Sequence, residues 1–74
     1  MKRILVVGGG SIGERHVRCF LNTDQAEVSL CETRPDVRQR LAEHYDLRNV
    51  FAAFDAALAE EFDGAVICTP AHLH

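Results

Sequence analysis

An apolar run that passes directly into a glycine-rich loop is the feature that most limits the folds open to this chain. Residues 3–7 (RILVV) are followed at once by GGGSIG at residues 8–13. A short, continuous apolar run that glycine ends is typical of a strand buried on both faces of a sheet. The loop fits the spacing G-x-G-x-x-G in one register only, which predicts a tight strand-to-helix turn rather than a flexible corner.

The remaining segments alternate between helical and extended patterns. Apolar residues recur at helical spacing from Ser11 to Leu21, and again in a stripe that begins after Pro35. Ala26 to Cys31 and Ala65 to Cys68 are short runs of the kind that forms strands. This alternation predicts an α/β protein with a doubly wound, Rossmann-like parallel sheet, helices on both faces and the strand order 3-2-1-4.

Two weaker patterns lie between the second helix and the last strand. Asn49 to Ala52 predicts a short third strand. Asp55 is a residue type that caps helices, so we expect it to be the N-cap of a third helix that runs to Phe62. That helix would place Leu58 and Phe62, four residues apart, on one face.

Composition and charge exclude several classes of function. The net charge is −3 and the basic residues are scattered, so nothing indicates binding to nucleic acid. Residues 4–7 are too few for an export signal and no run approaches the ~20 apolar residues of a membrane span, so we expect a cytoplasmic protein. The three cysteines lack metal-site spacing, and Cys31 and Cys68 would lie on strands too far apart for a disulfide.

Each glycine of the fingerprint has a mechanical role. Gly8 permits the tight turn off the strand, Gly10 lets a pyrophosphate approach the backbone, and Gly13 lets the helix pack close to the strand. Ser11 and Ile12 lie at the start of that helix. The free N–H groups and the positive end of the helix dipole are suited to bind phosphates there.

An acidic residue stands where a dinucleotide-binding protein needs one. Glu32 ends the second strand, 19 residues after Gly13, where a carboxylate accepts hydrogen bonds from both hydroxyls of an adenosine ribose. Glu32 would repel the 2′-phosphate of NADP. Two interpretations of Arg34 stay open: it binds that phosphate, or it is an ordinary surface residue. The sequence therefore favours NAD as cofactor and leaves NADP open.

Two side chains near the loop have structural alternatives. Ser11 and Glu14 fit the capping-box spacing S-x-x-E. We expect Ser11 to cap the helix and Glu14 to point to solvent when ligand is bound, because a carboxylate folded back onto the helix end would compete with phosphate. By its spacing, His16 is expected to be a packed, hydrogen-bonded histidine at the border of the apolar stripe.

The predicted strand order leaves the last strand at an open edge of the sheet. Its AVIC run is nevertheless what a covered strand looks like. A complete dinucleotide-binding domain continues with two further strands. We therefore expect residues 1–74 to be the N-terminal part of such a domain, in a larger protein or with a partner chain covering the edge.

Two separated stretches resemble the Gfo/Idh/MocA family of NAD(P)-dependent oxidoreductases. GGGSIGERH at residues 8–16 resembles the family's glycine loop running into an Arg-His pair, and CTPAHLH at residues 68–74 resembles its T-P-x-x-x-H ending. One departure is Ala71, where the family often has asparagine. The residues that match the family's motifs are Gly8, Gly10, Gly13, Arg15, His16, Glu32, Thr69, Pro70 and His74. The residues predicted to bind the cofactor are Gly8, Gly10, Ser11, Ile12, Gly13, Glu32, Arg34, Thr69, Pro70 and His74.

The resemblance implies an activity that this stretch of chain does not carry alone. It implies hydride transfer between nicotinamide and a sugar, inositol or similar polyol or carbonyl substrate. The family's catalytic lysine belongs to an E-K-P motif on the next strand, so no catalytic residue is assigned among these 74 residues, and the chain alone is expected to be inactive. The substrate domain, also absent here, often forms the dimer interface, which leaves a homo-oligomer open.

Two other classes of function share part of this pattern. A nucleotide-sensing Rossmann module without chemistry would need the same loop and the same Glu32, although the TPAHLH ending favours the enzyme. An S-adenosylmethionine-binding domain also uses a glycine-rich turn and a strand-end acid. The full G-x-G-x-x-G spacing that leads into a helix favours the dinucleotide.

Overall fold

The computed structural model describes residues 1–47 and 49–68 of the chain. Strands and helices alternate along it in the order β1 (Lys2–Val7), α1 (Ser11–Asn22), β2 (Ala26–Cys31), α2 (Pro35–His44), β3 (Val50–Phe51), α3 (Phe54–Leu58) and β4 (Gly64–Ile67). The four strands form one parallel sheet in the order β3-β2-β1-β4. This confirms the α/β class and the strand order predicted from the sequence.

One face of the sheet carries α1 and α2. Val6 of β1 and Leu30 of β2 are fully buried there against Val17 of α1 and Leu41 of α2. Burying an aliphatic side chain of this size stabilises the fold by about 1.5–3 kcal/mol. The four side chains therefore fix both helices, and the loops that precede them, against the sheet.

The opposite face carries α3. Leu5 and Cys31, the neighbours in sequence of residues on the first face, point to this side and pack against Ala57, which is fully buried. Successive residues of a strand point to opposite faces, so strands covered on both sides need continuous apolar runs. The predicted arrangement of helices on both faces is confirmed.

The third helix differs from its predicted form. It begins at Phe54 with Ala53 as the N-cap residue, so Asp55 lies in its first turn and the prediction of Asp55 as N-cap is wrong. The helix ends at Leu58, which is 62% exposed. Phe62 lies beyond the helix and packs edge-on against Phe51. The small Ala57 is the residue that lets this short helix approach the sheet.

A cluster around Arg3 fixes the start of β4 against β1. The Arg3 backbone N–H donates to the Asp63 carboxylate at 2.6 Å, and the Asp63 N–H donates to the Arg3 carbonyl at 2.7 Å. The Arg3 guanidinium donates to the Glu61 carbonyl at 2.7 Å and lies over the ring of Phe62, 5.0 Å from its centroid. These contacts align β4 so that it ends beside β1.

Strand β4 lies at the edge of the described sheet. It pairs with β1, and within residues 1–47 and 49–68 no strand lies on its other side. Ile67 is 52% exposed. Cys31 and Cys68 lie on opposite sides of β1 and are both free thiols, as the predicted strand order requires.

Candidate functional site

The central strands end in register, which brings three chain segments to one edge of the sheet. Val7 of β1 is paired with Cys31 of β2 on one side and with Ile67 of β4 on the other. Hydrogen bonds extend this pairing, from the Gly8 N–H to the Cys31 carbonyl at 2.8 Å and from the Cys68 N–H to the Val7 carbonyl at 2.7 Å. The glycine loop, Glu32 and Cys68 therefore meet at the carboxyl edge, where ligands of such sheets bind.

A cleft of about 730 Å³ opens at this edge. Several residues that line it were not assigned to the cofactor site from the sequence, among them Phe54 at the start of α3 and Cys68, which follows β4. Phe54 follows β3 and Cys68 follows β4, the strands on either side of β1 and β2. Only the fold brings them to the cleft. The predicted site residues that line the cleft are Gly8, Gly10, Ser11, Ile12, Glu32 and Arg34.

Two glycines of the loop are required by the backbone itself. Gly8 has a φ of 100°, in the left-handed region that side chains other than glycine rarely adopt. A Cβ at Gly13 would lie only 1.8 Å from the Gly8 carbonyl oxygen. A Cβ at Gly10, in contrast, would meet nothing within 4 Å. The protein itself leaves the space beside Gly10 open.

Helix α1 begins without a side-chain cap. Gly10 is its N-cap residue and Ser11 its first helical residue, so the expectation that Ser11 caps the helix is wrong. The first main-chain bond of the helix runs from the Glu14 N–H to the Gly10 carbonyl at 2.8 Å. The N–H groups before Glu14 have no partner within the helix, which is the usual condition for anion binding at a helix start.

The Glu14 carboxylate is held by the second helix. It accepts a hydrogen bond from the Tyr45 hydroxyl at 2.8 Å and one from Arg40 at 3.4 Å. The hydrogen bond from Tyr45 lowers the pKa of Glu14. Because these are its partners in the described part of the chain, Glu14 ties α1 to α2 instead of forming a capping box.

The side chain of Glu32 is buried at the end of β2 and joins the two loops of the site. Only 5% of Glu32 is exposed. Its Oε1 accepts from the Gly9 N–H at 2.6 Å, and its Oε2 accepts from the Arg34 N–H at 2.8 Å. One carboxylate thus holds the glycine loop against the turn that leads into α2.

Gly9 is a site residue that the sequence analysis missed. It occupies a variable position of the fingerprint, yet a Cβ there would lie 3.0 Å from both Val37 and Leu41 and 3.1 Å from Glu32 Oε1. The signal was the run of three glycines, which has one more glycine than the fingerprint requires. Gly9 allows the loop to approach α2 closely enough for its N–H to reach Glu32.

The environment of Glu32 keeps its carboxylate ionised. Burial raises the pKa of Glu32, but hydrogen bonds from the Arg34 side chain and from the backbone N–H groups of Arg34 and Gly9 outweigh it. The result is a pKa lowered from 4.5 to about 2. An ionised carboxylate accepts hydrogen bonds and donates none, so it is suited to hydroxyl groups.

Arg34 is paired with Glu32. Its Nε donates to Oε2 at 3.1 Å and its NH2 donates to Oε1 at 3.2 Å. The Arg34 side chain is 59% exposed. The structure thus brings Arg34 to the predicted ribose position, in contact with the residue that is predicted to bind the ribose.

The remaining residues of the family motifs lie farther along α1 or outside the described part of the chain. Arg15 is exposed, and His16 is partly buried with its ring stacked on Phe20 at a centroid distance of 6.4 Å. Thr69, Pro70 and His74 lie outside the described residues. Their assignment to the cofactor site stays a prediction.

Two global observations complete the description. None of the helices in residues 1–47 and 49–68 has the length and apolarity needed to cross a bilayer. In the same part of the chain, no three His, Cys, Asp or Glu side chains are grouped as ligands of a metal ion would be.

Comparison with known sequences identifies an oxidoreductase family with this fold. Residues 2–74 match the model of the GFO_IDH_MocA oxidoreductase family, described as having an NAD-binding Rossmann fold. The 4-carboxy-2-hydroxymuconate-6-semialdehyde dehydrogenase of Sphingobium sp. (strain NBRC 103272 / SYK-6) is 30% identical over 74 residues. That match covers 97% of this chain and 24% of the relative.

Solved structures show the same architecture. The WlbA dehydrogenase of Bordetella pertussis, in complex with NADH and UDP-GlcNAcA, superposes with a TM-score of 0.83 at 29% identity, covering 97% of this chain and 23% of its own. An oxidoreductase of Agrobacterium radiobacter, in complex with NAD+, L-tartaric acid and magnesium, gives 0.86 at 15% identity, covering 99% and 22%. The second likeness concerns the fold alone. The chain spans about a quarter of the length of these relatives.

Proposed function

Because the chain belongs to the Gfo/Idh/MocA family of oxidoreductases with an NAD-binding Rossmann fold, we propose that its cleft holds the adenosine and pyrophosphate half of NAD. The proposal extends to the whole protein, which transfers a hydride between the nicotinamide and a carbon of a sugar-type, polyol or carbonyl substrate. Residues 1–74 are then the N-terminal part of the dinucleotide-binding domain, and the substrate domain is another part of the protein.

The observation that carries the proposal is the direct bond between the glycine loop and the strand-end acid. The Gly9 N–H donates to Glu32 Oε1 at 2.6 Å, so this hydrogen bond joins the loop to the carboxylate at the carboxyl edge. A ligand that bridges them needs an anionic group for the helix start and a vicinal diol for the carboxylate. The adenosine half of a dinucleotide has both.

Different residues of the cleft are suited to different parts of the dinucleotide. The open space beside Gly10 and the N–H groups at Ser11 and Ile12 suit the pyrophosphate, because the helix start carries partial positive charge. Glu32 suits the ribose hydroxyls. We propose that Thr69, Pro70 and His74 act toward the nicotinamide side, which supplies the hydride chemistry when the cofactor is bound.

The substrate class is proposed from the relatives. The WlbA structure holds UDP-GlcNAcA, and the Sphingobium relative is named for a semialdehyde. Both suit an enzyme that oxidises or reduces at a hydroxyl or carbonyl carbon. We assign no acid or base to the described residues, since none of them combines a motif with a place beside a reacting atom.

The binding proposal predicts that Gly10→Ala weakens cofactor binding and preserves the fold. The new methyl group meets nothing in the free protein, but it occupies the space that a pyrophosphate needs. Overpacking by one carbon costs about 1–3 kcal/mol, so we expect a Kd for NAD raised about 5- to 150-fold. Calorimetric titration of the full-length protein with NAD, NADP and S-adenosylmethionine measures this directly.

Gly64→Ala is the matched control for that experiment. A Cβ at Gly64, at the start of β4, makes ordinary contact with Ile4 at 3.5 Å and lies at the opposite edge of the sheet. It should leave NAD binding unchanged. Equal NAD binding by Gly10→Ala and wild type would contradict the proposed position of the pyrophosphate, and binding of S-adenosylmethionine alone would contradict the function itself.

A further inference from the structure

The hydrogen bonds around Glu32 leave no room for an additional donor. The two oxygens of an ionised carboxylate offer about four acceptor positions. In this structure the N–H groups of Gly9 and Arg34 take two of them, and Nε and NH2 of the Arg34 guanidinium take the other two. Two ribose hydroxyls therefore cannot reach Glu32 while the guanidinium is in place.

We infer that the Arg34–Glu32 ion pair competes with the adenosine ribose, so that NAD binding displaces the guanidinium and Arg34 sets the balance between NAD and NADP. The inference rests on the proposed function, because it takes the Glu32 carboxylate as the ribose acceptor. It also gives the direction of the effect of Arg34: its side chain weakens NAD binding.

The guanidinium is the donor that exchanges. Its two hydrogen bonds, at 3.1 and 3.2 Å, are longer than the backbone bonds at 2.6 and 2.8 Å. The backbone donors are fixed by the glycine loop and by the start of α2. The Arg34 side chain, in contrast, is 59% exposed, so its guanidinium can leave Glu32 and be hydrated by solvent. The exchange leaves no buried charge without partners, because the backbone N–H groups of Gly9 and Arg34 stay on Glu32 and the ribose hydroxyls replace the guanidinium.

Displacement has the opposite consequence for the two dinucleotides. A ribose with two hydroxyls donates to Glu32 and replaces both guanidinium bonds. A 2′-phosphate donates nothing to Glu32 and brings negative charge beside it, so its favourable partner in this cluster is the released guanidinium of Arg34. The same side chain thus opposes NAD and supports NADP.

The substitution Arg34→Ala tests this in the full-length protein. It removes the guanidinium and keeps the backbone N–H that bonds Glu32. Because Arg34 makes no side-chain cap to α2, no helix cap is lost. We expect the Kd for NAD to fall about 5-fold, equivalent to about 1 kcal/mol, and the Kd for NADP to rise about 10-fold. The melting temperature should fall for the free protein and match wild type at saturating NAD.

Arg38→Ala is the matched control. It removes the same charge from the same region, but the Arg38 side chain donates to the Glu32 backbone carbonyl at 2.9 Å instead of the carboxylate. The inference is supported if the Kd for NAD falls and the Kd for NADP rises in Arg34→Ala, and if neither Kd changes in Arg38→Ala. Weaker NAD binding by Arg34→Ala, unchanged binding, or equal shifts in both variants overturns it while the wild type still binds NAD. A wild type that binds neither dinucleotide overturns the proposed function as well.

Discussion

Replacement of Gly13 by alanine is expected to lower the free energy of unfolding by more than about 3 kcal/mol, which is a large part of the 5–15 kcal/mol available to a typical domain. The added Cβ would lie 1.8 Å from the Gly8 carbonyl oxygen and 2.8 Å from the Gly8 carbonyl carbon. Both are backbone atoms of a turn that is anchored to β2, so no side-chain rotation relieves the clash. Helix α1 would have to move off the sheet and expose Val17.

Urea denaturation followed by circular dichroism measures this change. Gly10→Ala is the control, because it adds the same methyl group three residues earlier in the same loop, where nothing lies within 4 Å. We expect its stability to stay within about 1 kcal/mol of wild type. Wild-type stability for Gly13→Ala would contradict the close approach of α1 to β1.

The second large effect is expected for Glu32→Gln, which replaces one carboxylate oxygen by an amide NH2. One of the two backbone donors, Gly9 or Arg34, then faces another donor in a buried site, and an unsatisfied buried donor costs about 1–3 kcal/mol. The ribose also loses its charged acceptor. Hydrogen bonds to charged groups contribute about 1.5–3 kcal/mol, so we expect NAD binding weakened about 10- to 150-fold.

Glu27→Gln is the control for charge and for position in the strand. Glu27 lies on β2, the strand that Glu32 follows, with its side chain 49% exposed and its carboxylate 3.7 Å from the Arg3 guanidinium. We expect NAD binding by this variant to equal that of wild type in calorimetric titration. Comparable losses in both variants would show that overall charge, rather than the ribose contact, governs binding.

The lowered pKa of Glu32 predicts a specific dependence of stability on pH. Its carboxylate titrates at about 2 in the folded protein against 4.5 as the ordinary value. The folded state therefore binds fewer protons in this window, and the stability that Glu32 contributes is fully present above pH 4.5 and is lost as the pH falls toward 2. Denaturation of wild type and Glu32→Gln across this range should show a shallower slope for the variant.

The sheet was predictable because its signals are local in the sequence. Four short apolar runs alternate with helical stripes, and right-handed crossovers leave few strand orders to consider. Glu32 was predictable for the same reason, since it directly follows the second strand. The register that aligns Val7 with Cys31 then brings the loop and the acid together without further information.

The errors concern features that depend on where a helix starts and what it contacts. Ser11 and Asp55 are residue types that cap helices, but each helix begins at or before that residue, with Gly10 and Ala53 in the cap positions. Glu14 fits a capping box by spacing, yet its carboxylate bonds to Tyr45, which directly follows the second helix. Such partners lie about thirty residues away in sequence, so no local pattern reveals them.

The contacts of Glu32 were also beyond the sequence. A carboxylate at that position predicts a ribose contact, but not that Gly9 and Arg34 already occupy its oxygens. That arrangement depends on how closely the loop approaches α2, which Gly9 allows through its missing side chain. The same arrangement is the basis for the prediction that the Arg34 side chain weakens NAD binding.

The most direct test of the proposed NAD site is a crystal structure of the full-length protein with NAD. We expect both ribose hydroxyls within about 3 Å of the Glu32 carboxylate oxygens, with the Arg34 guanidinium moved away and the pyrophosphate against Gly10 and the start of α1. A complex in which the Arg34–Glu32 ion pair persists and the ribose hydroxyls contact other groups would contradict it.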